Sequence, residues 1–370
     1  MEATFRSINY SHTHLKKVNP YVSIAILAKI TYVSVYYILV NFTTVSSALD
    51  ANCRYDCYWY AEIANRGYTP KSEVSLAPNG ANWGFFPLFP YLVKILHLST
   101  PIDIRLVGFV VNTLLFIVGV FFLGKFIEEK YGNRISKFTI ALFCFSPVSV
   151  YLNSFYTEAA FFSLIAALTW FIYTDRPFLI VFIASLLGVT RNTGALIATL
   201  LIFSWQLQKK CNLLHLFRAG LFSLVSVLLL GVHILVLSKT TGDYFAIVSH
   251  HRVHRGNPIS WILSSLSFQS PLQIGLLILF IFTIYVFGKN LREKNYCEAA
   301  VLFPVLLTSI SYPTFINWRY FLILFPLYLY ASRRLIQINS RILTAAIICL
   351  EIAFLVFAQF SWIMNYGFMV

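Results

Sequence analysis

One long polar interval breaks the first half of this sequence, Tyr55 to Pro90, reading YDCYWYAEIANRGYTPKSEVSLAPNGANWGFFPLFP, and it sets Asp56, Glu62 and Glu73 among aromatic residues. Apolar runs long enough to cross a bilayer flank it, so its carboxylates would stand where water meets lipid. A carboxylate held there could act as a base. The other acids on the same side of the chain's apolar segments are Asp50, Asp103, Glu158 and Asp243. Asp56 is the best placed of them, because it begins an amphipathic run in which Tyr60, Ile63 and Ala64 share a helical face at i, i+3, i+4 spacing. Such a helix would lie in the interface with its aromatics toward lipid. The same aspartate could instead cap that helix, and composition alone leaves both readings open.

Cations that could meet an anion stand on the same side: Arg191, Arg319 and the run of His250, His251, Arg252, His254 and Arg255. A planar guanidinium suits phosphate or carboxylate through paired hydrogen bonds. Arg191 sits in Thr190-Arg191-Asn192-Thr193-Gly194, between apolar stretches 178–189 and 195–206. A dozen residues reach only about 18 Å as a helix. The pair therefore reads as a short hairpin with a polar tip in a cavity, a setting that favours function. For the loop cluster, contact with lipid headgroups is the stronger reading. Its histidines fall at i,i+4 spacing without a carboxylate to complete a zinc site. The block Phe85-Phe-Pro-Leu-Phe-Pro90 reads as a rigid aromatic entry to a membrane segment. Lipase, phosphate-loop and dinucleotide motifs are absent.

The elements that must position these groups are membrane helices. Hydrophobic residues make up 58% of the 370 and charged residues 11%, against roughly 25% charged in a soluble domain. In lipid only helices or closed barrels satisfy the backbone, and the runs lack the alternation of strands. The net charge of +14 points to a cytoplasmic excess of Lys and Arg rather than to nucleic acid, for which no motif exists. Lys16 and Lys17, then Lys125, Lys130, Arg134 and Lys137, place the N-terminus and alternate loops in the cytoplasm. The first apolar run, Tyr21 to Val40, is too long for a signal-peptide core and should stay as a helix. One domain, 1–370, accounts for the chain, with a first outer loop at 42–100 and a second at 238–270. Lys29 and Glu351 fall inside apolar runs and are expected to approach each other as a structural clasp. Cys53 and Cys57 are the only close cysteine pair, and i,i+4 placement on a helix argues against a bridge.

The ordered set of motifs resembles the PIG-V family, glycosylphosphatidylinositol mannosyltransferase 2, within the GT-C membrane glycosyltransferases. The matching residues are Tyr55-Asp56, Ile63-Ala64, Gly67-Tyr68 and Phe85-Phe86-Pro87-Leu88-Phe89-Pro90, then Ser146-Pro147, Tyr156-Thr157-Glu158-Ala159, Thr190-Arg191-Asn192 with Gly194, and Arg319-Tyr320 before Pro326. They span about three-quarters of the chain. The resemblance implies an all-α polytopic bundle of the GT-C type, with about 9–11 hydrophobic helices and interfacial helices in an extracytoplasmic first loop. It implies an inverting transfer of a hexose, mannose by preference, from a dolichyl- or polyprenyl-phosphate donor to a lipid-linked or glycan acceptor. Asp56 would be the base, Arg191 and Arg319 would cover the leaving phosphate, and Glu158, Tyr156 and Asn192 would bind or orient substrate. No metal or cofactor is implied, since the lipid-linked sugar is a substrate. The family usually carries Trp where Tyr55 stands, and the short loops favour a prokaryotic relative in the plasma membrane over a eukaryotic one in the endoplasmic reticulum. A multi-pass lipid or solute transporter is the competing class, but paired interrupted helices in two halves are missing.

Overall fold

Asn19 opens the first helix by accepting the Tyr21 N–H on its Oδ1 at 2.9 Å, with Pro20 in the first helical turn where a missing N–H costs nothing. The computed structural model describes residues 19–43, 45, 47–70, 82–209, 212–248, 271–311 and 318–366, and among them the chain is all-α without a strand. Five helices are long and apolar enough to cross a membrane. They are α1 (Pro20–Asn41), α5 (Ile104–Tyr131), α11 (Leu213–Thr241), α12 (Pro271–Arg292, apolar from Ile274) and α16 (Arg341–Ile363). Shorter helices fill the space between them: α6 (Asn133–Cys144), α7 (Ser149–Asn153), α8 (Glu158–Tyr173), α9 (Pro177–Gly188), α10 (Gly194–Lys209), α13 (Tyr296–Ser311), α14 (Trp318–Leu322) and α15 (Phe325–Ile338).

α8 lies at the centre. Nearly every residue from Glu158 to Thr169 is buried, as a helix apolar on all sides requires. It packs against α5 at close range because Gly119 has no side chain. A Cβ there would stand 2.7 Å from the Phe162 ring and 2.8 Å from the Ser163 backbone.

The apolar stretch from Ile135 to Leu152 is divided between two helices. Pro147 cannot donate to a helix ladder, and α6 ends at Cys144 before α7 restarts at Ser149. Carbonyls released by the break are taken by hydroxyls: Ser146 Oγ donates to Phe143 O at 2.8 Å and Ser149 Oγ to Cys144 O at 2.7 Å. The hairpin at 177–209 also differs from expectation, since α9 has 12 residues but α10 has 16.

The C-terminal end of α7 answers the charge in α1. Lys29, 6% exposed, donates to Asn153 Oδ1 at 2.7 Å and Leu152 O at 3.1 Å, with its ammonium 4.8 Å from the Phe116 ring centroid. The expected clasp with Glu351 is therefore not formed among the described residues. Carbonyls at the end of a short helix have no ladder partner, and they satisfy the lysine instead.

Between α1 and α5 the chain makes three short helices, α2 (Ala48–Asn52), α3 (Cys57–Arg66) and α4 (Leu88–His97). Cys53 and Cys57 are joined by a disulfide, with their Cα atoms 5.2 Å apart. This corrects the expectation of free thiols. The i,i+4 objection assumed one continuous helix, whereas α2 stops at Asn52, Cys53 has φ −97° and ψ 86°, and α3 begins only at Cys57.

Candidate active site

Three segments distant in sequence meet α14, which carries Arg319 and Tyr320, at the end of the bundle that carries α2, α3 and α4. The first is the turn before α3. The Asp56 N–H donates to the Tyr156 hydroxyl at 3.0 Å, and that hydroxyl donates to the Arg54 carbonyl at 3.2 Å, so Tyr156 clasps both ends of the turn. Asp56 precedes α3 with helical dihedrals and makes no side-chain cap bond. Its carboxylate is instead turned to Arg319, whose Nη1 donates to Oδ2 at 2.7 Å. Of the two roles open for Asp56 from composition, capping is not the one its side chain takes.

The second segment is the start of α8. Glu158 Oε1 accepts from Arg191 Nη1 and lies 3.9 Å from Arg319 Nε, so one carboxylate oxygen faces both guanidinium groups. A negative charge in the first turn also complements the helix dipole. Glu158 is 1% exposed, and its Oε2 has no hydrogen-bond partner among the described residues. A buried carboxylate oxygen left in this way is a place for a water or a ligand hydroxyl.

The third segment is the hairpin tip. Gly194 N–H donates to Arg191 O at 2.9 Å, and Thr190 Oγ1 donates to Leu187 O at 2.6 Å. Gly194 permits this fold-back, since a Cβ there would be 2.0 Å from Leu187 O. The tip is tied to the first loop by the Leu88 N–H, which donates to Val189 O at 3.1 Å. Phe85 and Phe89 continue the connection through edge contacts with Tyr60 at 5.1 Å and 6.0 Å, and the Tyr60 hydroxyl is 3.2 Å from Thr157 Oγ1.

Tyr320 is within reach of both arginines. Its ring centroid is 5.3 Å from the Arg191 guanidinium carbon and 5.2 Å from that of Arg319. An aromatic face holds a guanidinium in place while leaving its N–H edge for hydrogen bonds. Burial alone would make the Arg319 charge harder to hold. Asp56, then Tyr320 and Glu158, outweigh it and raise the guanidinium above its usual range.

Four of the six residues expected at the site, Asp56, Glu158, Arg191 and Arg319, thus form one cluster of alternating charge. Tyr156 reaches it as a buried brace, with its ring 5.6 Å from the Arg319 guanidinium carbon. Asn192 is not brought in. It is exposed at the tip and makes no hydrogen bond among the described residues. Most of the remaining acids are committed elsewhere: Glu62 accepts from Asn82 Nδ2 at 3.0 Å, Asp50 pairs with Arg105, and Asp243 accepts the Phe245 N–H at 2.7 Å. Asp103 caps α5, and the Arg105 side chain holds its carboxyl below the usual carboxylate range. Glu73 and the His250 to Arg255 cluster lie outside the described residues. No three His, Cys, Asp or Glu side chains converge on a metal-sized position among the described residues. Thr157 and Tyr320 stand in the motifs that carry the resemblance but were given no role at the site, although each adjoins a charged residue that was.

An apolar groove of about 280 Å³ is lined among others by Pro87, Leu88 and Tyr91 of the first loop, Val189 of the hairpin tip, and Val232 and His233 of α11. Val189, in the lining of the groove, caps the end of α9 two residues before Arg191.

Comparison with known proteins gives the family. The family described as Mannosyltransferase (PIG-V) matches residues 3–289, well over half of the 370. The match takes in Asp56, Glu158 and Arg191, and Arg319 lies beyond it. No match is found among curated proteins. The chain belongs to the PIG-V mannosyltransferase family and is a glycosyltransferase built into a helical membrane bundle.

Proposed function

We propose that this mannosyltransferase takes mannose from a polyprenyl- or dolichyl-phosphate donor and passes it, with inversion at the anomeric carbon, to a glycolipid or glycan acceptor on the extracytoplasmic side. The observation that carries the proposal is the convergence of Asp56 with Arg319 and of Glu158 with Arg191 around one tyrosine ring. Such a site has one carboxylate to receive a proton and two guanidinium groups to receive a phosphate. The acceptor hydroxyl would attack the anomeric carbon as Asp56 takes its proton, and the bond to the phosphate oxygen would break toward the arginines.

Arg191 binds its carboxylate and threonine neighbours through Nη1 among the described residues. Its other N–H groups would then serve the phosphate, as the five-donor fork allows. The apolar groove reaching Val189 supports a donor whose phosphate is carried by a hydrocarbon chain. The Cys53–Cys57 disulfide supports an extracytoplasmic site, because such bonds persist where the medium is oxidising.

The test is donor discrimination. Full-length protein in lipid nanodiscs is given labelled mannose as a polyprenyl phosphate or as a nucleoside diphosphate, with a glycolipid extract as acceptor. Transfer from the lipid phosphate alone, into the opposite anomeric configuration, is the expected result. Transfer from the nucleotide sugar, or retention of configuration, would refute the reading.

A further inference from the structure

The turn that presents Asp56 is held at each of its three residues, Arg54, Tyr55 and Asp56. Tyr156 binds the Asp56 N–H and the Arg54 carbonyl, Arg54 Nη2 donates to Ile363 O at the end of α16 at 2.9 Å, and the Tyr55 ring meets Trp362 at 5.6 Å. In the middle, Tyr55 has φ +49°, in the left-handed region that a bulky residue avoids. Backbone in that region persists only where the surroundings over-determine it. The disulfide closes the chain from Cys53 to Cys57 around this turn, with both sulfurs buried.

We propose that the Cys53–Cys57 bond is a positioning element for the transfer reaction: it keeps Tyr55 in its left-handed conformation and so holds the Asp56 carboxylate at Arg319. The inference rests on the reading of Asp56 as the base. Without the bond, Tyr55 can rotate to an ordinary negative φ, which re-aims the peptide that carries Asp56. The cysteines touch no substrate, and they act through the aspartate. Donor phosphate is held by groups on other segments, Arg191 in the hairpin and Arg319 in α14, so its binding should survive a loosened turn.

The experiment compares wild type with Cys53→Ser, Cys57→Ser and the double variant as full-length protein in nanodiscs, measuring kcat and the donor KM for mannose transfer from a polyprenyl phosphate. A catalytic group misplaced by about 1 Å costs up to 10²-fold. The expected result is a fall in kcat of about tenfold or more in each single variant, no further fall in the double, and a donor KM within about twofold of wild type. A merely structural role would lower the amount of active protein without this split. Where a variant does not fold, purified wild type is treated with a water-soluble phosphine, which reduces the bond to two thiols and is itself oxidised to the phosphine oxide. Loss of the bond is counted by alkylation and mass, and reoxidation should restore kcat. Unchanged kcat in protein shown to lack the bond, or single-variant losses that add in the double, would overturn the positioning role alone. Absence of transfer by the intact wild type would instead overturn the reaction proposed above.

Discussion

Arg191 offers the sharpest way to separate holding the fold from holding the substrate. Its partner Glu158 is 1% exposed. Replacing Arg191 with Gln takes away the nearer partner of that carboxylate and leaves it Arg319 Nε at 3.9 Å, at a cost of up to about 3–5 kcal/mol for breaking a buried pair from one side. Glu158→Gln in addition removes the second charge, and a neutral pair of similar volume is often no less stable than the ionic one. The Arg191→Gln/Glu158→Gln double variant should therefore recover most of the thermal stability that Arg191→Gln loses. Donor affinity should not recover with it. A hydrogen bond to a charged group contributes about 1.5–3 kcal/mol, so loss of the guanidinium predicts a rise of about 10- to 150-fold in donor KM. The assay is the melting temperature in detergent, followed by initial rates of mannose transfer across a range of polyprenyl-phosphate-mannose concentrations. If the double variant regains both stability and a near-wild-type donor KM, Arg191 serves packing only, and its assignment to the phosphate fails.

Two further substitutions test the frame around the site. Lys29→Met leaves Leu152 O and Asn153 Oδ1 without their donor, and should lower unfolding free energy by about 1–3 kcal/mol. Glu351→Gln, at the other end of the expected clasp, should change it by less than about 0.5 kcal/mol; equal losses from the two would restore the clasp. Gly194→Ala drives a methyl group to 2.0 Å from the Leu187 carbonyl oxygen. It should cost about 1–3 kcal/mol as an overpacked contact and raise donor KM by moving Arg191, and a variant with wild-type stability and KM would show that the tip has room.

What could be read from the sequence followed from local contrast. A polar interval between apolar runs exposed Asp56, an arginine on a short apolar hairpin exposed Arg191, and low charge with long apolar runs gave an all-α membrane bundle. What could not be read depended on chain breaks and on partners far away in sequence. Pro147 was visible, but the way Ser146 and Ser149 satisfy the carbonyls around it divides a helix that hydrophobicity alone would join. Cys53 and Cys57 looked unbridgeable only on a continuous helix. Lys29 and Glu351 sat at matching depth, yet depth says nothing of rotation about the helix axis, and the lysine faces α7. Tyr320 shows the same limit: an aromatic beside an arginine is commonplace, and its role appears only when a second arginine, 129 positions earlier in the numbering, arrives at the same ring.

The central claim is that the Asp56 carboxylate is the proton acceptor of the transfer. Asp56→Asn keeps the shape and an oxygen for Arg319 Nη1 but removes the basicity, and general-base catalysis is worth about 10²–10⁴-fold in rate. The decisive measurement is single-turnover transfer of mannose from a polyprenyl phosphate by wild type and Asp56→Asn in the same nanodiscs, with melting temperature as the control for folding. A folded variant that binds donor and transfers at least about 10²-fold more slowly is the predicted result. Transfer at a rate close to wild type would contradict the account.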